Sequence, residues 1–173
     1  LCAEGHFCCR ILVAVWEVIR YNKIWLTIGI GQVKKLEKRV SAVLVAAGSS
    51  TRMGFDKLSF DLGGETVLHR SIRAFEQDPL VTEIVLVAGK NRAFVEQQAA
   101  DCTKPVKIVS GGATRAESAR NGVRAAEGDL VAVHDAARPF VSQAVIAAAL
   151  EAAAACGAAA PAVPVKDTIK AAQ

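Results

Sequence analysis

The sequence predicts a doubly wound α/β domain built on a mostly parallel sheet, and three observations lead there. Short apolar runs recur at 41–46, 83–88, 106–110, 130–134 and 158–164. Most are too continuously apolar to leave one face wet, as befits central strands of a parallel sheet covered on both sides. Between them, 66–77, 91–100, 115–126 and 142–156 carry apolar residues at three- and four-residue spacing, the period of helices packing on such a sheet. The resulting β-α-β-α-β-α-β-α-β order places ligand chemistry at the carboxyl ends of the strands, in the loops after Ala46, Ser110 and His134.

Composition bounds the rest. At 173 residues, 52% hydrophobic and 22% charged, the chain suits a single globular core. Of its 21 Lys/Arg and 17 Asp/Glu, seven and three lie in residues 1–40, leaving 14 of each beyond, so the net +4 belongs to the leading segment and the main body is neutral. A basic nucleic-acid-binding face is thereby excluded. The five cysteines (Cys2, Cys8, Cys9, Cys102, Cys156) are odd in number and form no CxxC pairs, so neither a disulfide framework nor a zinc site is expected, and a reducing cytoplasm is the simpler compartment.

Residues 1–39 differ from the rest: both tryptophans (Trp16, Trp25), the one tyrosine (Tyr21) and three cysteines fall there, and the chain opens on Leu1. The apolar stretch 11–30 is interrupted by Glu17, Arg20 and Lys23, which argues against a membrane span, and it lacks the pattern of a secretory signal. The segment is read as a leader of uncertain structure, more in keeping with a non-native extension than with a membrane-surface or partner-binding helix. The domain proper runs over 40–173.

The first strand ends in Ala46-Ala47-Gly48-Ser49-Ser50-Thr51-Arg52-Met53-Gly54-Phe55-Asp56-Lys57. Small residues let the backbone pass close to a ligand and turn successive N–H groups toward phosphate oxygens. Arg52 and Lys57 add two cations, suited to the negative charge that builds when a triphosphate is attacked at its α-phosphorus. The loop is neither a Walker A motif nor a GxGxxG turn. After the third strand, Ser110-Gly111-Gly112-Ala113-Thr114-Arg115-Ala116-Glu117-Ser118 joins a glycine pair to a helix with Thr114 as its N-cap, and sets Ser118 one turn in, within reach of a base or ribose.

His134-Asp135-Ala136-Ala137-Arg138-Pro139 ends the fourth strand. Asp135, at a strand tip near phosphates, suits Mg²⁺ or the incoming substrate, because Mg²⁺ combines few carboxylates with phosphate oxygens. Arg138 either contacts substrate or holds the loop by pairing with a carboxylate, and His134 reads as a buried strand-end residue. Lys166, in Pro164-Val165-Lys166-Asp167-Thr168-Ile169-Lys170, is either a cation for a substrate phosphate or a solvated turn lysine.

These four segments, in this order and spacing, resemble the 2-C-methyl-D-erythritol 4-phosphate cytidylyltransferases, from Val40 to the end. The resemblance implies a nucleotidyltransferase (Rossmann-like) fold. It implies transfer of CMP from CTP to a sugar-alcohol phosphate with release of pyrophosphate, Mg²⁺ as cofactor, no covalent enzyme intermediate, and a homodimer in complete family members. By matched position, Arg52 and Lys57 stabilise the pentacoordinate phosphorus. Ala46, Ala47, Gly48, Ser50, Gly111, Gly112, Arg115 and Ser118 serve the nucleotide. Asp135, Lys166 and Arg138 serve the sugar phosphate, and Asp135 also the metal.

The sequence departs from the family pattern in several places. Asp56 replaces the usual proline in a shortened first loop, similar to the RMGxDK of molybdenum-cofactor nucleotidyltransferases; Ala113 replaces a frequent acidic residue; and Lys166 stands for an arginine. The family's projecting β-arm and final substrate-binding segment do not follow Gln173, so the 173 residues are expected to be a fragment with weak activity or none. A ribitol 5-phosphate cytidylyltransferase and an inactive nucleotide-binding module are the alternatives.

Overall fold

The computed structural model describes the backbone of residues 11–15 and the chain over 38–48 and 56–162. Among the described residues, five parallel strands form one sheet in the order β1-β5-β2-β3-β4: β1 (Ile11–Val15), β2 (Val40–Val45), β3 (Val81–Ala88), β4 (Val106–Ser110) and β5 (Leu130–Asp135). The chain winds outward from β2 through β3 to β4, then crosses back to place β5 on the other side of β2. That reversal makes the carboxyl ends of β2 and β5 a topological switch point, where Val45 lies opposite Asp135.

Alternation along the strands divides the core in two. Ala42, Leu44, Ile84, Leu86, Leu130 and Ala132 face one side with Leu68, Ile72 and Phe75 of helix α1 (Val67–Glu76), Val95 of α2 (Arg92–Gln98), and Ile146 and Leu150 of α4 (Gln143–Cys156). Val43, Val85, Val87 and Val131 face the other. There α3 (Arg115–Ala125) packs so closely that a Cβ on Gly122 would strike Val43 and Val87. Burial of β2, β3 and β5 on both faces is why those runs read as continuously apolar, while β4, at the sheet edge, is only half-buried.

The four helices begin within a residue or two of their expected starts. Thr66, Thr114 and Ser142 each accept a hydrogen bond from a backbone N–H of the first turn, as N-caps of α1, α3 and α4. A short 3-10 turn, Lys57–Ser59, precedes α1, capped by Asp56, whose Oδ1 accepts from Leu58 N at 3.0 Å.

One expected strand does not form as far as the described residues run. Ala158–Ala162 carries no strand, and the remainder of 158–164 lies outside the described residues. Alanine has little preference for a pleated backbone and Pro161 lacks the N–H a ladder needs, so apolar character alone is insufficient there. The sheet edge beside β5 is taken by β1, from the stretch read as a leader; its Ile-Leu-Val-Ala-Val run pairs from Ile11↔Leu130 to Val15↔His134. Among the described residues, no helix is long and apolar enough to cross a membrane.

Candidate active site

The loops after β2, β4 and β5 converge at the switch point. The loop after β2 is held from two sides. On the β3 side, Ala46 N donates to Val87 O at 2.8 Å, and Gly89 comes so near that a Cβ there would lie 2.9 Å from Ala47 O. On the β4 side, a Cβ on Gly111 would collide with the Ala47 methyl and sit 3.0 Å from Ser118 Oγ. Ala47 is thus wedged between two glycines, which explains the small residues better than flexibility does.

The glycine loop after β4 is braced by its own helix. Ser118, buried, accepts from Gly112 N at 3.0 Å and donates to Thr114 O at 3.0 Å. A hydroxyl oxygen accepts twice, so one lone pair of Ser118 remains after these bonds. Glu117 reaches back to accept from Ala113 N at 2.9 Å, and its side chain fills the space where Gly112 has no Cβ. Ala113 therefore leaves no carboxylate of its own at this turn, and Glu117 supplies one just below it. Asn121 ties the strand end by donating to Ser110 O at 3.1 Å.

Asp135 emerges at the tip of β5. Its Oδ1 accepts from Ala137 N at 3.1 Å, and its Oδ2 lies 3.3 Å from Arg115 Nη2 and 3.5 Å from Arg138 Nε. One carboxylate thereby links the β4 loop to the β5 loop through Arg115. Arg138 fills the loop-holding role by pairing with Asp135, while its carbonyl accepts from Nε2 of His134 at 2.9 Å. His134 is buried with its ring 5.0 Å from Phe75, and the loop is further pinned by Ser71 Oγ donating to Ala136 O at 2.8 Å.

Of the expected site residues, Ala46, Ala47, Gly48, Gly111, Gly112 and Arg138 lie in these three loops, Arg115 and Ser118 in the first turn of α3 that follows one of them, and Asp135 at the end of β5. Lys57 opens the 3-10 turn that Asp56 caps, so the aspartate in place of proline still orders the residues around the lysine. Arg52, Ser50 and Lys166 lie outside the described residues. Two contributors escaped the sequence reading: Glu117 and Asn91. Glu117 had a signal, since Thr114-x-x-Glu117 has the spacing of a capping box.

The model of the family described as IspD, 2-C-methyl-D-erythritol 4-phosphate cytidylyltransferase, matches residues 40–173. The chain belongs to this family. A bifunctional enzyme IspD/IspF of Anaeromyxobacter sp. (strain Fw109-5) is 46% identical over 140 residues, which cover 78% of this chain and 35% of that protein. A 2-C-methyl-D-erythritol 4-phosphate cytidylyltransferase of Caldanaerobacter subterraneus is 42% identical over 139 residues, 76% of this chain and 61% of the relative. Among solved structures, a 4-diphosphocytidyl-2C-methyl-D-erythritol synthase superposes with a TM-score of 0.60 at 33% identity, covering 80% of this chain and 65% of its own. The synthase of Anaerococcus prevotii does so with 0.59 at 27%, covering 66% and 51%. The chain therefore spans between about a third and two thirds of the length of these relatives, and its sheet and helices have the nucleotidyltransferase, Rossmann-like arrangement.

Proposed function

We propose that this chain carries the nucleotide half of a cytidylyltransferase that moves CMP from CTP to 2-C-methyl-D-erythritol 4-phosphate. The observation that carries the reading is the convergence of three loops on the β2/β5 switch point, with Ala47 seated between Gly89 and Gly111 and Asp135 joined to Arg115 and Arg138. The names borne by the relatives supply the substrate.

In the proposed reaction an oxygen of the methylerythritol phosphate attacks the α-phosphorus of CTP. A P–O bond forms there as the bond to the β-phosphate bridging oxygen breaks, and pyrophosphate leaves with that electron pair. Arg52 and Lys57 offset the charge gathering on the α- and β-phosphate oxygens. Backbone N–H groups from Ala47 and Gly48 meet phosphate, Gly111, Gly112 and Ser118 border the cytidine, and Arg115, Arg138 and Lys166 serve the anionic groups.

Mg²⁺ fits this donor set. Asp135 is a partly exposed carboxylate at a strand tip, whose Oδ2 is paired with Arg115 and Arg138 and whose Oδ1 accepts from Ala137 N. One carboxylate completed by phosphate oxygens is the usual Mg²⁺ arrangement, and the ion would neutralise charge on the triphosphate. A cytoplasmic homodimer completes the proposal.

Calorimetric titration of the chain with CTP and Mg²⁺, with ATP and GTP as controls, tests the reading. CTP-selective binding that falls at least tenfold in Arg52→Ala is expected. Equal affinity for the three nucleotides, or none for any by a folded chain, would overturn it. Pyrophosphate release with methylerythritol phosphate against ribitol 5-phosphate then distinguishes the acceptors.

A further inference from the structure

The structure assigns Asn91 as a positioning residue for the nucleotide loop. Asn91 stands immediately before α2, at the N-cap, where an asparagine side chain ordinarily accepts from its own helix's first turn. It makes no such bond. Its side chain instead reaches across to the end of β2: Nδ2 donates to Ala46 O at 3.1 Å while Oδ1 accepts from Gly89 N at 3.0 Å. The two bonds use the amide's donor and acceptor ends on partners that can only accept and only donate, which settles its orientation.

The consequence lies in what this amide joins. Ala46 O belongs to the peptide whose N–H is that of Ala47, so holding the carbonyl fixes the plane, and hence the direction, of the first N–H in the loop proposed to meet phosphate. Gly89, the other partner, is the residue whose missing Cβ admits Ala47 O. Asn91 thus bolts the end of β3 to the start of the loop after β2, and it contributes nothing to the first turn of its own helix. The inference rests on the nucleotide reading above and adds to it a residue that does not touch the ligand.

The variants Asn91→Ser and Asn91→Ala both remove the bridge, because neither side chain spans Ala46 and Gly89. Neither restores a cap to α2, since residue 91 has φ −88° and ψ 21° rather than the extended backbone of a capping residue. In both variants the Kd for CTP with Mg²⁺, measured well below the melting temperature so that the chain is folded, should rise about fivefold or more, the worth of one net hydrogen bond. Amide hydrogen exchange at Ala47 and Gly48, measured without nucleotide, should quicken in both variants. A Kd within twofold of the parent's, exchange at Ala47 and Gly48 left unchanged, or a loss of affinity that merely tracks a fall in melting temperature would each overturn the assignment. If the parent chain bound no CTP, the nucleotide reading would fail by itself, and the exchange rates would still decide whether Asn91 orders the loop.

Discussion

Gly89→Ala should destabilise the fold and weaken nucleotide binding together. A Cβ at this position would lie 2.9 Å from Ala47 O, 3.4 Å from Ala47 Cα and 3.5 Å from Ala47 C. An unstrained carbon-to-oxygen contact is about 3.3 Å, so the loop must retreat by roughly 0.4 Å. The atoms in the way are backbone, and they cannot rotate aside as a side chain would. Retreat is opposed on the far side by Gly111, which lies so near that a Cβ built on it would collide with the Ala47 methyl. Overpacking of this kind costs about 1–3 kcal/mol, and the lower chain entropy of alanine in the unfolded state returns about 0.4–1. A net loss of about 1–2 kcal/mol is expected in urea unfolding, with CTP affinity lowered by calorimetry.

Gly48→Ala is the control. Among the described residues nothing lies within 4 Å of its Cβ position, so stability should hold or improve by up to about 1 kcal/mol. CTP binding should fall, because the methyl crowds the loop proposed to meet phosphate. Gly89→Ala unfolding within 0.5 kcal/mol of the parent chain would refute the wedge argument.

Two further outcomes follow from the ion pairs. Burial raises the Glu83 carboxyl, but Ser41 Oγ, the Glu127 N–H at 2.5 Å and Lys107 Nζ at 3.1 Å outweigh it and leave the pKa below the ordinary carboxylate value. The stabilisation is therefore present above the unfolded-state pKa and lost as pH falls through the depressed folded value. Glu83→Gln should cost about 1–2 kcal/mol at pH 7 and flatten the acid limb of a stability-versus-pH curve; an unchanged limb would count against the network. Asp135→Asn should lower CTP affinity in the presence of Mg²⁺ at least tenfold, yet change stability by under about 1 kcal/mol, since its arginine pairs are partly exposed. Equal affinity with and without the carboxylate would remove Asp135 from the metal and phosphate chemistry.

Much of this was legible along the chain. The runs at 41–46, 83–88 and 130–134 became β2, β3 and β5 because a strand buried on both sides must be apolar at nearly every position, a local property, and 106–110 became the half-buried edge strand β4. The helices were legible for the same reason, through Thr66, Thr114 and Ser142 at their starts. Apolar character misled at 158–162, where alanines and Pro161 make poor strand material. It was underrated at Ile11–Val15, where a β-branched run found the open edge of β5.

The sequence by itself determined the fold class, the family and the three loops proposed to bear chemistry, because periodicity, caps and motif spacing are read over a few neighbouring residues. Tertiary structure alone decided how those loops meet: Ala47 between Gly89 and Gly111, Asp135 between Arg115 and Arg138, and Asn91 drawn from its own helix to Ala46. Apart from the local Asp135–Arg138 pair, these contacts join residues 20 to 64 positions apart in sequence, and their partners are chosen by strand order and register.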